Sequence, residues 1–378
     1  MKYKRLTALL LAGALILSGC FHKEPTLSET DPETEPVSGS SSETSEETEA
    51  SETSETTGEY DDITDVTPPV VLSSNSSVSL TVGDVFDPNK YISYIDDYDR
   101  TPRLTMETEV DTTTPGVYET AMIITDSAGN VSNNPITVRV KVEGETSTPT
   151  PTPIGFVPSP TPTPAPSHLD FDEFVSRYQA DGLEFGIDVS KWQGDVDYNA
   201  VKRAGATFVI IRAGVYYEGE FNFDSKFEQN LRNAKAAGLK VGLYFFTPVT
   251  SEEVLIENIT TICEALNGQT LELPIAYDME TWSRFQQYKI NLQDLNGYFR
   301  SFCDVCESYG YKGMLYNSKN KLESVWDAAG QPVWLAHYTR ETSYEGDYFM
   351  WQVNNTGRIA GIDGDVDLNI LYVDRYDG

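Results

Sequence analysis

Two apolar rhythms divide this chain. Between residues 66 and 143 apolar positions alternate with polar ones: Val78, Leu80 and Val82, then Ile136, Val138, Val140 and Val142. Between them Gly116-Val117-Tyr118 leads into Ala121-Met122-Ile123-Ile124 and the turn Asp126-Ser127-Ala128-Gly129-Asn130. A period of two places residues on one face of a strand, so this stretch predicts a small all-β sandwich. From about residue 170 the rhythm changes. Short apolar runs, read as strands, occupy 185–189, 208–213, 241–246, 275–279, 313–316, 333–337, 349–353 and 366–372. Helical spacing fills the gaps between the first six, at 197–204, 223–237, 250–266, 292–309 and 319–329. Phe227, Leu231 and Ala234 mark the inner face of the second helix, and Leu255, Ile259, Ile262 and Leu266 that of the third. Thr250 with Glu253 reads as a capping box for that third helix. No helix fits between the last strands. Eight strands and five helices, alternating at the start, predict an α/β barrel.

In such a barrel the strand C-termini carry the site. The fourth strand, in Leu273-Pro274-Ile275-Ala276-Tyr277-Asp278-Met279-Glu280, ends in two carboxylates one residue apart. Positions i and i+2 of a strand face the same way, so Asp278 and Glu280 should leave the barrel side by side. Two carboxylates that close do not both ionise freely; one tends to remain an acid while the other carries charge. Glycoside cleavage uses that division of labour. Asp188 ends the first strand, and Asp365 and Asp367 lie at the eighth, which closes against the first. Several acids should therefore converge at the mouth. Aromatic residues sit at the same ends, among them Tyr244, Tyr316, Trp334, Tyr338 and Trp351, and suit the C–H faces of sugar rings.

Composition narrows the chemistry. The formal charge is −32, and Glu24 to Asp65 holds 15 acidic residues with no Lys, Arg or His. No basic face is available, which argues against nucleic acid as a partner. The three His, at 22, 168 and 337, leave little room for a His-rich metal site or a His-based hydrolase triad. Cys303 and Cys306 form a C-x-x-C, but Cys306 falls in an apolar helical series with Leu292, Leu295, Phe299, Phe302 and Tyr309, which favours packing over redox work. Pairing of Cys263 with Cys303 or Cys306 stays open. Within 66–143 no cluster of acids or aromatics stands out as a site, and the stretch reads first as a spacer.

Five segments result. Residues 1–19 read as an export signal, with Lys2, Lys4 and Arg5 before the apolar stretch from Leu6 to Leu17. Residues 20–65 are a Ser/Thr/Glu tether, too polar to offset ordering entropy and spanning roughly 35–40 Å. Residues 66–143 are the β domain. Residues 144–169 hold eight Pro between Pro149 and Pro166, a polyproline spacer of up to about 75 Å. Residues 170–378 are the barrel.

Three stretches resemble known families. Leu17-Ser18-Gly19-Cys20 resembles the lipobox of bacterial lipoproteins. That implies a lipidated Cys20, an anchor in membrane lipid, and a position on the extracellular face of the bacterial cytoplasmic membrane. Thr114-Pro115-Gly116-Val117-Tyr118 with Thr125 to Asn130 resembles bacterial immunoglobulin-like surface domains. Most specific is the barrel. Gly186-Ile187-Asp188-Val189-Ser190-Lys191-Trp192-Gln193-Gly194 resembles the opening motif of the family 25 glycoside hydrolases, the Chalaropsis-type lysozymes. So do Phe208 to Ala213, Val241 to Phe246, Pro274 to Glu280, Trp334 to Tyr338, Trp351-Gln352 and Gly361 to Asn369, in order from about 183 to 373.

The resemblance implies a flattened, TIM-like (β/α)5(β)3 barrel that cleaves the β-1,4 bond between N-acetylmuramic acid and N-acetylglucosamine, working as a monomer on peptidoglycan glycan strands without metal or organic cofactor. It assigns Glu280 as general acid and Asp278 as partner of the substrate acetamido group. Asp188 and Asp367 become orienting acids, with Asp365 a rival for the last role. Tyr244, Trp334, Tyr338, Trp351 and Gln352 become substrate contacts. Two other readings stay open: a non-catalytic glycan binder on the same barrel, and a glycosidase for another N-acetylated polymer such as chitin.

Overall fold

The computed structural model describes residues 65–143, 168–248 and 251–375. The leader, Cys20, the acidic tether to residue 64 and the linker from 144 to 167 lie outside them.

The first domain has six strands: β1 (Val70–Ser74), β2 (Ser77–Thr81), β3 (Ile92–Ile95), β4 (Arg103–Met106), β5 (Gly116–Thr125) and β6 (Val131–Lys141). One sheet pairs β1 with β3, and the other runs β2-β6-β5-β4. Leu80, Ile92, Tyr94, Met122, Ile124, Ile136, Val138 and Val140 form its core. The alternating residues of β5 and β6 are therefore the inward ones, as their period requires.

The second domain opens with β7 (Leu169–Asp170) and α1 (Phe171–Tyr178), then β8 (Leu183–Val189), α2 (Tyr198–Arg203), β9 (Phe208–Tyr217), β10 (Glu220–Phe223), α3 (Phe227–Ala236), β11 (Lys240–Phe246) and α4 (Glu252–Leu266). It continues with β12 (Ile275–Asp278), α5 (Leu292–Ser308), β13 (Gly313–Ser318), α6 (Lys319–Ser324), β14 (Val333–Ala336), β15 (Met350–Arg358) and β16 (Val366–Tyr372). Strands β8, β9, β11, β12, β13, β14, β15 and β16 hydrogen-bond in that order, and β16 returns to β8, which closes an eight-stranded barrel. All neighbours are parallel except at β16, which is antiparallel to both β15 and β8.

Strand parity sorts the core into two shells. Phe208, Ile210, Tyr244, Ala276, Met314, Tyr316, Trp334, Met350 and Leu371 pack together inside the barrel. Their alternates Val209, Ile211, Ile275, Tyr277, Leu315, Leu335, Trp351 and Ile370 pack outward under the helices. The inner shell is tight at its base. A Cβ on Gly186 would lie 2.4 Å from the Phe208 carbonyl oxygen, so only glycine fits there.

Several expectations need correction. The 223–237 helix begins only at Phe227, because Glu220–Phe223 pairs back on β9 as a hairpin. Helix α1 has no counterpart in the sequence reading. The third helix is capped by Ser251, whose side chain accepts from the Val254 amide, while Thr250 lies outside the described residues. Cys263, Cys303 and Cys306 are buried free thiols.

The first domain is also more than a spacer. The turn Phe285–Tyr288, which follows β12, docks against β3. The Phe285 amide donates to Ser93 Oγ (2.8 Å) and the Leu292 amide to the Asp96 carbonyl (2.7 Å). Asn291 Nδ2 donates to the Tyr98 carbonyl (2.7 Å), and Arg100 grips Asp294 through two nitrogens at 2.7 Å. Leu72 and Ile95 join the outer barrel core. Periodicity cannot reveal such docking, because it rests largely on backbone groups and one irregular loop.

Candidate active site

Four carboxylates meet at the strand C-terminal mouth. Asp188 is the penultimate residue of β8 and Asp278 the last of β12. Glu280 follows two positions on. It shares the inward parity of Ala276 and Asp278, while Tyr277 and Met279 lie in the outer shell. Asp367 arrives differently. Because β16 runs backwards, its second residue reaches the mouth, directly paired with Asp188. Asp188 and Asp278 are buried, and Glu280 and Asp367 are half-buried.

Asp188 is the best-held of the four. Its Oδ2 accepts from Gln352 Nε2 (2.9 Å) and Asn369 Nδ2 (2.8 Å), and it shares a hydrogen bond with Asp367. Burial raises its pKa to about 6 against those three bonds. Gln352 is oriented in turn, its Oε1 accepting from Tyr316 (2.9 Å) and Tyr338 (2.8 Å). Trp334 Nε1 donates to Asn369 Oδ1 (2.8 Å). Gln352 and Asn369 thus each have their amide oxygen and nitrogen assigned by their neighbours.

Asp278 is held differently. Its Oδ1 is buried without a hydrogen-bond partner. Burial raises its pKa well above the ordinary carboxylate value, and the charges of Glu280 and Asp188 add to this, while Arg212 opposes. Asp367 is likewise raised well above, by burial first and then by Asp188 and Glu280. Below the cluster Arg212 is buried and paired with Asp224, Nε at 2.7 Å and an Nη at 2.6 Å. Asn317 Nδ2 donates to the Met279 carbonyl (2.7 Å) and the Thr247 amide to the Asp278 carbonyl (2.9 Å), which fixes the turn between the two acids. Such a site favours the protonated form of its carboxyls and leaves one buried acceptor atom open to a polar hydrogen.

The five expected substrate contacts separate. Tyr338 is 36% exposed, at the rim. Gln352 is buried against Asp188. Trp334 and Tyr244 are buried edge to face at 6.3 Å, and Trp334 is committed to Asn369, so they support the network from below. Trp351 does not join them. Next to Gln352 on one strand it must face outward, where it meets Tyr178 edge-on at 5.8 Å and donates to the His337 carbonyl. Asp365 turns to solvent and pairs with Arg358 at 2.9 Å.

Residues missed in the sequence are Asn369, Arg212 and Trp192, while Tyr316, expected among the strand-end aromatics, holds Gln352 instead. Trp192, 57% exposed just after β8, has the Lys191 ammonium 4.9 Å over its ring. Its place directly after the first strand-end acid was the available signal.

The model of glycosyl hydrolases family 25 matches residues 187–362, and that of the bacterial surface protein Ig-like domain matches residues 70–142. The chain is 27% identical over 187 residues to the autolytic lysozyme of Clostridium acetobutylicum, covering 49% of this chain and 54% of that protein. It is 29% identical over 197 residues to lysozyme M1 of Streptomyces globisporus, covering 49% and 66%. This chain thus spans between about half and two thirds of the length of these relatives. The structure of a family 25 glycosyl hydrolase from Bacillus anthracis aligns at 23% identity with a TM-score of 0.43, over 52% of this chain and 92% of that one. Residues 187–362 thus belong to glycosyl hydrolases family 25, and residues 70–142 form a bacterial surface Ig-like domain.

Proposed function

We propose that this protein hydrolyses peptidoglycan at the β-1,4 bond between N-acetylmuramic acid and N-acetylglucosamine. The observation that carries the reading is the group Asp188, Asp278, Glu280 and Asp367 at one barrel mouth, with Asp278 offering a buried, unpartnered oxygen. Two of its relatives are lysozymes by name.

Glu280 is the general acid and gives its proton to the leaving glycosidic oxygen. Asp278 Oδ1 accepts the acetamido N–H of the bound sugar and turns the acetamido oxygen onto the anomeric carbon. The C–O bond to the leaving sugar breaks as that oxygen adds. Water then replaces it, and its proton returns to Glu280. Asp188 and Asp367 share a hydrogen bond that limits the negative charge facing Asp278. Tyr338, with Gln352 behind it, lines the rim. The barrel reads best as a flattened, TIM-like (β/α)5(β)3 unit. Five helices, α2 to α6, separate the first six barrel strands, and none separates the last three among the described residues.

The protein acts as a monomer, held by a lipidated Cys20 at the outer face of the cytoplasmic membrane and reaching the wall through its tether. Each buried lipid methylene contributes about 0.8 kcal/mol to such an anchor. Metabolic labelling with an alkyne fatty acid should tag the wild type and spare Cys20→Ala.

The deciding test is digestion of purified peptidoglycan by the full chain, with mass spectrometry of borohydride-reduced products. Fragments ending in reduced N-acetylmuramic acid are expected. Ends in reduced N-acetylglucosamine would move the cut to the other bond, and intact glycan would point to a binding protein. Glu280→Gln should lower the rate by at least about 10²-fold with the fold unchanged.

A further inference from the structure

The Ig-like domain holds a second acidic group, separate from the four carboxylates of the barrel mouth. Asp65 precedes β1, and Asp96 and Asp97 follow β3. The antiparallel pairing Val70↔Ile95 brings these ends together, so residues 31 positions apart become neighbours. One carboxylate oxygen from each of Asp65, Asp96 and Asp97 lies within 4.8 Å of the others. The sequence reading found no cluster here, because one member falls just outside the predicted domain and strand pairing supplies the rest.

Acids gather on surfaces without consequence, but here one is fully enclosed. Asp96 is 0% exposed. Its Oδ1 accepts from the amides of Tyr98 (3.0 Å) and Asp99 (2.6 Å), whereas its Oδ2 has no partner. Asp97 Oδ1 is also buried and unpartnered. A buried carboxylate oxygen with nothing to accept costs several kcal/mol unless a cation or a proton meets it.

We propose that Asp65, Asp96 and Asp97 bind a divalent cation of calcium's size. The donor set is hard oxygen alone, which suits calcium or magnesium rather than zinc. Calcium–oxygen distances of about 2.4 Å let one ion touch oxygens up to about 4.8 Å apart, while magnesium at about 2.1 Å needs them closer. Without the ion, burial and mutual repulsion raise the pKa values of Asp96 and Asp97. The site borders the docking surface: the carbonyls of Asp96 and Tyr98 accept from Leu292 and Asn291. An ion here stiffens the loop that holds the Ig-like domain to the barrel.

The test is calorimetric titration of calcium chloride into the metal-stripped full chain. One site per chain is expected, with a dissociation constant of about 10⁻⁴–10⁻³ M, the range of extracellular modules. Magnesium chloride should bind at least about tenfold more weakly. Asp97→Asn and Asp65→Asn should each weaken calcium binding at least about tenfold. Asp65→Asn keeps an oxygen for its one local bond, from the Thr67 amide, so its fold serves as the control for loss by misfolding. The acidic stretch from Glu24 to Asp62 remains in every variant. Calcium heat equal in wild type and variants would mean diffuse binding to that stretch and would overturn the site. Absence of saturable binding up to 10 mM, about tenfold above the expected range, would overturn it equally.

Discussion

At Asp188 burial raises the carboxyl, and Gln352, Asn369 and Asp367 pull it back, leaving it near 6 against a starting value of 3.8. The folded protein therefore binds more protons than the unfolded chain as pH rises through this interval. Its stability falls over the same interval, and Asp278 and Asp367, raised further, extend the fall toward neutrality. Urea midpoints should accordingly drop between pH 4.5 and pH 7, a window set by those shifts. Asp188→Asn keeps an oxygen for its two amide donors and loses the charge. It should gain about 1–3 kcal/mol at pH 7.5 while losing most activity, measured by parallel urea melts and wall-lysis assays. Arg212→Met leaves the buried Asp224 without a counter-ion, held only by the Lys191 and Lys226 amides, and should cost about 3–5 kcal/mol. The acids were legible because carboxylates ending apolar strands are conspicuous. The partners of Asn369 and Tyr316 were not, since a lone polar group inside an apolar strand announces no partner until the barrel closes.

At the scale of elements, strand parity was the strongest signal, applied to Asp278 and Glu280 but not to Trp351 and Gln352. The i, i+2 rule that joins Asp278 to Glu280 also forbids Trp351 and Gln352 from sharing a face, and the structure turns the tryptophan onto α1. Strand positions were readable because buried parallel strands are nearly continuous apolar runs. The expected helix takes in the last residue of β10, because Phe223 stands one helical step before Phe227. Two changes probe elements directly. Gly186→Ala should cost about 1–3 kcal/mol or more in urea unfolding, since the obstructing atom is backbone and cannot rotate away. Ser251→Ala removes the α4 cap and should cost about 1 kcal/mol.

For the molecule as a whole, the Ig-like domain grips the loop that leaves Glu280. Phe285 is buried in that contact, and Phe285→Ala should lose about 3–5 kcal/mol. Differential scanning calorimetry of the full chain should show one transition for wild type and two for the variant. The direction of β16 carries a consequence of another kind, in time. This strand follows every other barrel strand in the chain, yet it brings Asp367 and Asn369 and seals β15 to β8. A chain emerging amino end first presents Asp188, Asp278 and Glu280 on an open sheet, with no Asn369 to hold Asp188. Whatever the site cuts, it cannot begin until β16 has emerged, so the order of the strands is itself a delay against premature cutting.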